Sequence, residues 1–327
     1  MTRSSRLRGG QSWANRYRYD QLSENTDETE WIAVTQGTAH VSAGTVDDSI
    51  AETGDDLTPE RVWDDRLQGV EMIQEGLQGT VAEQLAERAE LLGALYPFQI
   101  TGNTLRYVPA ELPLYETLLG ICQSPSLTHG AHTALPRMFE HLCVLAGRSY
   151  LGDNAQGYRS GWPRPTQNAA RFKAMLAEIH QQTGRHAGEW QWAPSAELPD
   201  DPLPANIKEN GLDVVLWRPW RDMRGGQFYL FGQCACGGNW LDKFKDLSVE
   251  RLRDWAPHLT HVPPMRGFFT PRFAVKSVLT EASKEAGLVF DRVRMMYSLT
   301  AQPIHNDMAA MRDQLHDCVR LAQTPVD

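Results

Sequence analysis

An aspartate and a glutamine stand at the outer ends of two neighbouring apolar segments, where they could bind one metal ion. Residues 212–220 and 227–236 are rich in β-branched, apolar and aromatic residues, and the turn between them closes with a pair of glycines. This pattern is typical of a β-hairpin. Because paired strands bring their outer ends together, we expect Asp213 and Gln233 to be neighbours. Carboxylate and amide oxygens are suitable ligands for Mg²⁺, so the hairpin predicts a metal site.

Helices and strands are predicted in alternation around this hairpin, because apolar residues recur at helical spacing in some segments and form short buried runs in others. The predicted helices span 134–148, 168–183, 239–255, 275–286 and 307–321, and the further strands span 189–192, 266–269 and 288–290. Residues 152–166 are rich in Gly, Asn and Pro and are predicted to be a loop. This order predicts an α/β fold with a mixed sheet.

The chain is predicted to divide into four segments. They are a charged, partly disordered leader (1–56), a helical N-terminal subdomain (57–128), the domain that contains the hairpin (129–300) and a C-terminal helix (301–327). Within the subdomain we predict a helix over 57–95, interrupted near its two central glycines, a hairpin over 98–108 and a helix over 112–122.

Charge is the basis for predicting the leader. Residues 1–19 contain five arginines and no acid, whereas residues 20–65 contain thirteen acidic residues and one arginine. The rest of the chain therefore carries only about two of the nine net negative charges, and such a biased segment favours loose structure. The basic arm could contact nucleic-acid phosphates, or the acidic stretch could mimic them and cover a basic groove. A solvated tail without a role is the alternative.

Composition predicts a folded protein of the cytoplasm. The chain has 327 residues, of which 41% are hydrophobic, so it can bury a large core. It has no run of eighteen apolar residues and no apolar segment behind the N-terminal arginines, which argues against a membrane span or a secretory signal. Five cysteines are an odd number and do not form a disulfide framework, so we expect reduced thiols.

The order of elements and the acidic positions resemble the PD-(D/E)XK nuclease superfamily, particularly its Mrr-like restriction branch, in which Gln often replaces the second acid. The resemblance covers roughly residues 132–272. It implies a restriction-endonuclease-like αβββαβ core with a mixed sheet. In that family a Glu on the first core helix, an Asp at the start of one strand and an acid or Gln on the next strand bind a divalent metal, and a Lys two residues later helps to position water.

Carried over by position, the resemblance implies that Glu140 is the helix acid, Asp213 the strand acid and Gln233 the third metal-binding group. The chain departs from the pattern at Ala235, where the family has its lysine. Lys243, on the following predicted helix, could return its ammonium group to the same space. The expected catalytic residues are therefore Glu140, Asp213, Gln233 and Lys243.

The implied function is hydrolysis of phosphodiester bonds in DNA by a Mg²⁺- or Mn²⁺-dependent endonuclease. Glu140, Asp213, the amide oxygen of Gln233 and the backbone carbonyl of Cys234 would hold the metal ion. Restriction-like nucleases often serve in anti-phage defence, so by analogy we expect a role in a prokaryotic defence or restriction system. A partner subunit such as an ATPase, helicase or sensor, and a homo-oligomer, are both compatible with the sequence.

Several arginines and aromatic residues are candidates for contacts with nucleic acid. Arg266, Arg272, Arg292 and Arg294 flank predicted strands and could bind phosphates, although structural ion pairs would explain them equally well. The aromatic residues of this region are expected to be core residues, and an exposed one could stack on a base. These are Trp217, Trp220, Trp240, Phe268 and Phe269.

Two other functions remain open. The chain could be a catalytically degenerate nuclease-fold subunit that binds DNA or assembles a larger defence complex. It could instead be a cysteine hydrolase that uses Cys236 at a strand-to-helix turn, with His258, His261 or His305 as the base. A zinc site is weaker, because only one residue separates Cys234 from Cys236, whereas zinc-binding pairs usually have two to four.

Overall fold

The computed structural model of this protein describes residues 12–41, 81–161, 172–183, 188–190, 211–222, 224–253, 256, 258–301 and 304–326. They form two compact units. The first contains the described residues between 12 and 111 together with residues 273–278, and the second contains those from 112 to 272 and from 279 onward. The division therefore falls near residue 111, whereas the sequence predicted it near 128.

The first unit contains helices and a small antiparallel sheet. Its elements are α1 (Ser12–Gln36), β1 (Thr38–His40), α2 (81–92), a 3-10 turn (Gly93–Leu95), β2 (Phe98–Thr101) and β3 (Thr104–Tyr107). The strand order is β1-β3-β2. A two-residue turn joins β2 to β3, and Gly102 adopts a φ of +56° there, which favours glycine. The predicted hairpin over 98–108 is confirmed.

Residues 12–41 differ from the loosely structured leader that the charge pattern predicted. They form α1 and β1, and two of their acids are buried around an arginine of α2. Arg88 Nη1 donates to Asp27 Oδ1 and to Glu30 Oε2, each at 2.7 Å, and the Tyr96 hydroxyl donates to Glu30 Oε1 at 2.6 Å. Acids that looked like solvated charge are therefore paired inside the unit. The remainder of the predicted leader and the predicted helix over 57–80 lie outside the described residues.

The second unit is built on a five-stranded mixed sheet with helices around it. Its strands are β4 (Gln156–Arg159), β5 (Val214–Arg218), β6 (Phe228–Cys234), β7 (Met265–Phe269) and β8 (Leu288–Phe290). Its α-helices are α3 (Leu114–Gln123), α4 (Ala134–Leu151), α5 (Phe172–Thr183), α6 (Val249–Arg253), α7 (Lys276–Ala286, whose first three residues belong to the first unit), α8 (Arg292–Thr300), α9 (His305–Ala310) and α10 (Arg312–Ala322). Short 3-10 helices occur at Gly130–Thr133 and Trp240–Lys243.

The strand order of this sheet is β4-β5-β6-β7-β8. Strands β4, β5 and β6 pair in antiparallel fashion, whereas β6, β7 and β8 pair in parallel. The predicted hairpin is β5 and β6, in which Val214 pairs with Gly232 and Arg218 pairs with Phe228. The predicted α/β class and the mixed sheet are confirmed. In addition, none of the helices in the described parts of the chain combines the length and apolar character needed to cross a bilayer.

Both faces of the sheet are covered. On one face, α4 comes so close that a Cβ added at Gly147 would lie 2.1 Å from a methyl carbon of Leu216. The other face carries a buried cluster that includes Trp217 and Phe231 of the sheet and Leu176 of α5. Because successive strand residues point to opposite faces, β5 supplies side chains alternately to α4 and to α5.

Some elements differ from the sequence prediction. β4 lies in the segment predicted to be a loop, because its sequence QGYR has no apolar run and its strand form depends on pairing with β5. The predicted helix over 239–255 is instead the short 3-10 helix and α6, and the predicted terminal helix is divided at Met311. The described part of the predicted strand over 189–192, residues 189 and 190, is not a strand. α8 was not predicted, although Asp291 caps it by accepting from the N–H of Arg294 at 3.1 Å.

Candidate functional site

Asp213 lies immediately before β5 and is hydrogen-bonded to both neighbouring chain segments. Its backbone N–H donates to the carbonyl of Gly232 at 2.9 Å, and its Oδ2 accepts from the backbone N–H of Cys234 at 2.7 Å. Its carbonyl oxygen accepts from the N–H groups of Ser160 and Gly161, at 2.8 and 3.3 Å. These bonds hold the Asp213 carboxylate beside the last residue of β6.

Glu140 reaches the same end of the sheet from α4. Its Oε2 accepts from Arg159 Nη1 at 2.7 Å, and only 14% of the glutamate and 10% of the arginine side chain are exposed. The carboxylate also lies against Gly161, where an added Cβ would be 2.3 Å from Oε2. Because the N–H of Gly161 binds the carbonyl of Asp213, the two acidic residues approach this glycine from two different elements.

Two cysteines belong to the same region: Cys143 is buried on the helix that carries Glu140, and the backbone N–H of Cys234 donates to Asp213. Cys143 is one helical turn beyond Glu140, so helical spacing places both on the same face of α4. Burial raises the pKa of each thiol, and the charges of Glu140 and Asp213 raise it further. The contacts through Gly161 place the two acidic residues at one site.

Gln233 was predicted to supply the third metal-binding group, and the structure directs its side chain elsewhere. Its Nε2 donates to Asp246 Oδ2 at 3.4 Å, and the residue is 5% exposed. The thiol of the next residue, Cys234, points to α4, and successive strand residues point to opposite faces. Gln233 therefore lies on the face away from Cys143, and its position next to the acids is occupied by Cys234.

The backbone of Cys234 remains in the predicted set. Its N–H is directed to Asp213, and the N–H and C=O groups of a strand residue point to the same side. The Cys234 carbonyl therefore points in the plane of the sheet, away from β7 and toward the segment that contains Asp213.

Lys243 ends the 3-10 helix that follows β6. Its side chain is half-buried. Burial raises the pKa of Cys236 from 9.0 to about 12, Cys122 adds to this shift, and the positive charge of Lys243 opposes it. The ammonium group is therefore close enough to act on a thiol two residues beyond Cys234.

The oxygen atoms available at this end of the sheet include those of the Glu140 and Asp213 carboxylates and the Cys234 carbonyl. Across the described residues, no group of three or more His, Cys, Asp and Glu side chains could hold a metal ion. A zinc centre built on Cys234 and Cys236 thus has no support in these parts of the chain. Mg²⁺, in contrast, is typically held by one or two carboxylates together with waters and substrate phosphate. Glu140, Asp213 and the Cys234 carbonyl fit that requirement.

Two of the four arginines predicted to contact nucleic acid are buried. Arg292 is fully buried: its Nε donates to the carbonyl of Pro271 at 2.8 Å, and its guanidinium lies over the ring of Tyr115 at 5.2 Å. Arg272 is 7% exposed. An arginine that supports the protein interior in this way cannot bind an external phosphate, so the prediction for Arg292 is corrected.

The other two arginines are more accessible. Arg266 is half-buried and donates to the carbonyls of Phe244 and Glu285. Arg294 is exposed, and its Nη1 donates to the carbonyl of Val289 at 2.7 Å. Of the four candidates, Arg294 alone is an exposed residue.

Sequence reasoning missed three residues of the site. Arg159 and Gly161 fall in the segment predicted to be a loop, and only the pairing of β4 with β5 brings them to Asp213. Cys143 carried a usable signal, because a residue three positions after Glu140 on a predicted helix shares its face.

The alternative site at Cys236 is disfavoured by its surroundings. A pKa of about 12 leaves almost no thiolate at neutral pH, and the thiolate is the nucleophile in cysteine hydrolases. Cys236 also precedes Trp240, where the 3-10 helix begins, by four residues, so it does not stand at a helix N-terminus.

Comparison of the chain with protein families, curated proteins and solved structures gave no match.

Proposed function

We propose that this protein is a metal-dependent nuclease that hydrolyses phosphodiester bonds in DNA. The observation that carries the proposal is that Glu140, from the helix before the sheet, and Asp213, from the start of the second strand, meet at one glycine: the Glu140 carboxylate lies against Gly161, whose N–H donates to the Asp213 carbonyl. The strand arrangement supports it too: in the order α4-β4-α5-β5-β6-α6-β7, the first three strands pair in antiparallel fashion and the fourth pairs in parallel. The helix α5, between the first and second strands, is an addition to the αβββαβ order of a restriction-endonuclease-like core.

Mg²⁺ or Mn²⁺ would be held by the carboxylates of Glu140 and Asp213 and by the carbonyl of Cys234. A carboxylate offers about four lone-pair sites, so an acid that accepts hydrogen bonds can also bind a metal ion. When bound, such an ion polarises a phosphate and lowers the pKa of a coordinated water. It would also offset the repulsion between two carboxylates held at low solvent exposure.

The remaining charged groups of the site have roles that follow from their positions. Arg159 neutralises part of the Glu140 charge and fixes its carboxylate with a 2.7 Å bond. Lys243 brings a positive charge near Cys236, two residues beyond the end of β6, and in this proposal it orients a water or stabilises charge that develops on phosphate. Lys243 would thus replace the lysine for which the chain has Ala235.

A cleavage assay on the purified full-length chain tests the proposal. Plasmid, linear duplex and single-stranded substrates are incubated with Mg²⁺, Mn²⁺ or EDTA. We expect the protein to cleave DNA only when Mg²⁺ or Mn²⁺ is present. The cleavage rate should fall by at least about 100-fold in Asp213→Asn and in Glu140→Gln. Asp313→Asn, an exposed change on α10, serves as the control. Unchanged cleavage by Asp213→Asn, with unfolding temperatures equal across the set, would remove the assignment.

A catalytically degenerate subunit is the second candidate, and two observations favour it. The Glu140 carboxylate already has an ion-pair partner, and the chain has Ala235 where the family has its lysine. In that case the chain would bind DNA without cleaving it and would assemble with an ATPase, helicase or sensor subunit of a defence system. Native mass, measured with and without neighbouring gene products, separates such a subunit from a solitary nuclease or a homo-oligomer.

A further inference from the structure

The tip of the β5-β6 hairpin, defined by residues 218–222 and 224–228, carries basic and aromatic side chains at the opposite end of these strands from Asp213. Five of its exposed side chains are basic or aromatic, in a chain whose net charge is −9. They are Arg218, Trp220, Arg221, Arg224 and Phe228. The tip holds three arginines against one acid, Asp222, so it is locally positive.

Trp220 is the most exposed of the large hydrophobic residues in the described part of the chain, at 62%. A tryptophan is normally among the more buried residues, so this exposure calls for a partner. The indole N–H donates to the carbonyl of Gly226 at 3.0 Å, which fixes the ring across the turn. The ring is thus held in place with most of its surface available to a ligand.

The arginines of the tip differ in their pairing. Arg224 forms an ion pair with Asp222 at 2.7 Å, and both are largely exposed. The side chains of Arg218 and Arg221 have no hydrogen bond or ion pair with any residue that the structure describes. Two unneutralised guanidinium groups therefore flank Trp220 in sequence, two positions before it and one after it.

The base of the tip is anchored. Gln227 is 2% exposed, and its Nε2 donates to the carbonyl of Thr183, the last residue of α5, at 3.1 Å. The next strand residues, Trp217 and Tyr229, belong to the buried cluster on the α5 face. A rigid base of this kind limits the entropy that the tip would lose on binding a ligand.

We propose that this tip binds single-stranded nucleic acid. Trp220 stacks on an unpaired base, and Arg218 and Arg221 contact phosphates on either side of it. A flat, exposed indole ring suits a base without sequence preference, and paired bases do not present such a face. The inference deepens the proposed function and rests on it for the substrate, because β5 separates the tip from Asp213 by roughly 17 Å along one strand.

The test is fluorescence anisotropy of a labelled oligodeoxythymidylate of about 12 nucleotides, with the full-length protein in EDTA so that no cleavage occurs. We expect Trp220→Leu to weaken binding roughly five-fold or more, and Trp220→Phe to weaken it less, because phenylalanine retains a π face. Arg221→Gln and Arg218→Gln should each reduce the slope of log affinity against log salt by about 0.7. Arg320→Gln, the same charge loss on exposed α10, should leave affinity unchanged.

Three results would overturn the proposal. One is equal affinity of the wild-type protein and Trp220→Leu, and another is equal affinity for duplex and single strand. The third is equal affinity for polyglutamate of matched length, which would identify an acidic protein partner. The proposed nuclease activity fails separately: if the wild-type protein binds the oligonucleotide through Trp220 but metal produces no cleavage, the tip assignment stands and the catalytic one does not.

Discussion

The carboxylate of Glu140 lies directly against the backbone of Gly161. A Cβ at Gly161 would come within 2.3 to 2.4 Å of all three carboxyl atoms, which is closer than real Cβ contacts. A side chain at position 161 would therefore have to displace the Glu140 carboxylate. Because the N–H of Gly161 also binds Asp213, this contact determines how close the two acids can lie.

Gly161→Ala should displace the Glu140 carboxylate by a distance on the order of 1 Å and reduce metal-dependent cleavage roughly 100-fold, since misplacement on that scale has such an effect on catalysis. Gly238→Ala is the matched control, because the nearest atom to its added Cβ would be Arg272 Nη2 at 3.9 Å. Cleavage rates and unfolding temperatures of both variants check the prediction. Equal cleavage rates in the two variants would show that Glu140 has no role in hydrolysis.

The Glu140 and Arg159 pair predicts a particular pattern of stability. Arg159→Met leaves a nearly buried carboxylate without its partner, so we expect it to lower the free energy of unfolding by about 3–5 kcal/mol. The double variant Glu140→Gln with Arg159→Met should lose less than Arg159→Met alone, because no charge then remains uncompensated. Urea denaturation of the three variants measures this cycle, and additive losses would contradict the pairing.

Arg88 makes the same test possible in the first unit. Its side chain is fully buried between Asp27 and Glu30, so Arg88→Met leaves two buried carboxylates facing each other. We expect a loss of at least about 3–5 kcal/mol in unfolding free energy, measured by urea denaturation. Arg88→Lys keeps the charge but not the fork of donors and should lose less. A change below about 1 kcal/mol in Arg88→Met would mean that these acids are solvated, as their charge pattern suggested.

The sequence was informative about Asp213 and uninformative about the orientation of Gln233. Asp213 is positioned by a hairpin whose turn and apolar strands are local signals. Successive residues of a strand face opposite sides of the sheet, so either Gln233 or Cys234 faces α4. A sequence shows which one only where apolar and polar residues alternate along the strand. β6 is covered on both faces, so that alternation is lacking. Arg159 was missed for a related reason, since β4 is a strand only through its partner.

Cys236 allows a test that separates the metal mechanism from a thiol mechanism. With a pKa of about 12, its thiolate fraction near neutral pH is very small, so iodoacetamide should leave cleavage unchanged while EDTA abolishes it. Alkylation of Cys236, followed by peptide mass spectrometry, should accelerate about tenfold per pH unit up to the pKa. Rapid inactivation by iodoacetamide at neutral pH would favour the cysteine hydrolase.

The same thiol gives a pH dependence of stability. Its pKa is raised from 9.0 to about 12 on folding, so the folded state binds more protons than the unfolded state between these values. The contribution of the neutral thiol is fully present below pH 9 and is lost as the pH rises toward 12. For each protein, the change in unfolding free energy is measured between pH 8 and pH 11. We expect the decrease to be smaller in Cys236→Ala than in the wild-type protein, because the variant has no thiol at this position to ionise. Urea denaturation at the two pH values measures this, and equal losses would show that Cys236 ionises normally.

Lys243 provides the sharpest comparison within the site, because Lys245 lies two residues away with its side chain 76% exposed and 3.9 Å from Glu285. If Lys243 orients water or stabilises charge on phosphate, Lys243→Met should lower the cleavage rate by about 100-fold while leaving metal affinity within a few-fold of the wild-type value. Lys245→Met removes an equal charge outside the site and should change neither quantity by more than about twofold. Single-turnover cleavage and Mn²⁺ titration calorimetry separate rate from affinity. Equal losses of cleavage rate in both variants would show that the two lysines act only through overall charge. Another residue would then have to replace the lysine that the family has at the position of Ala235.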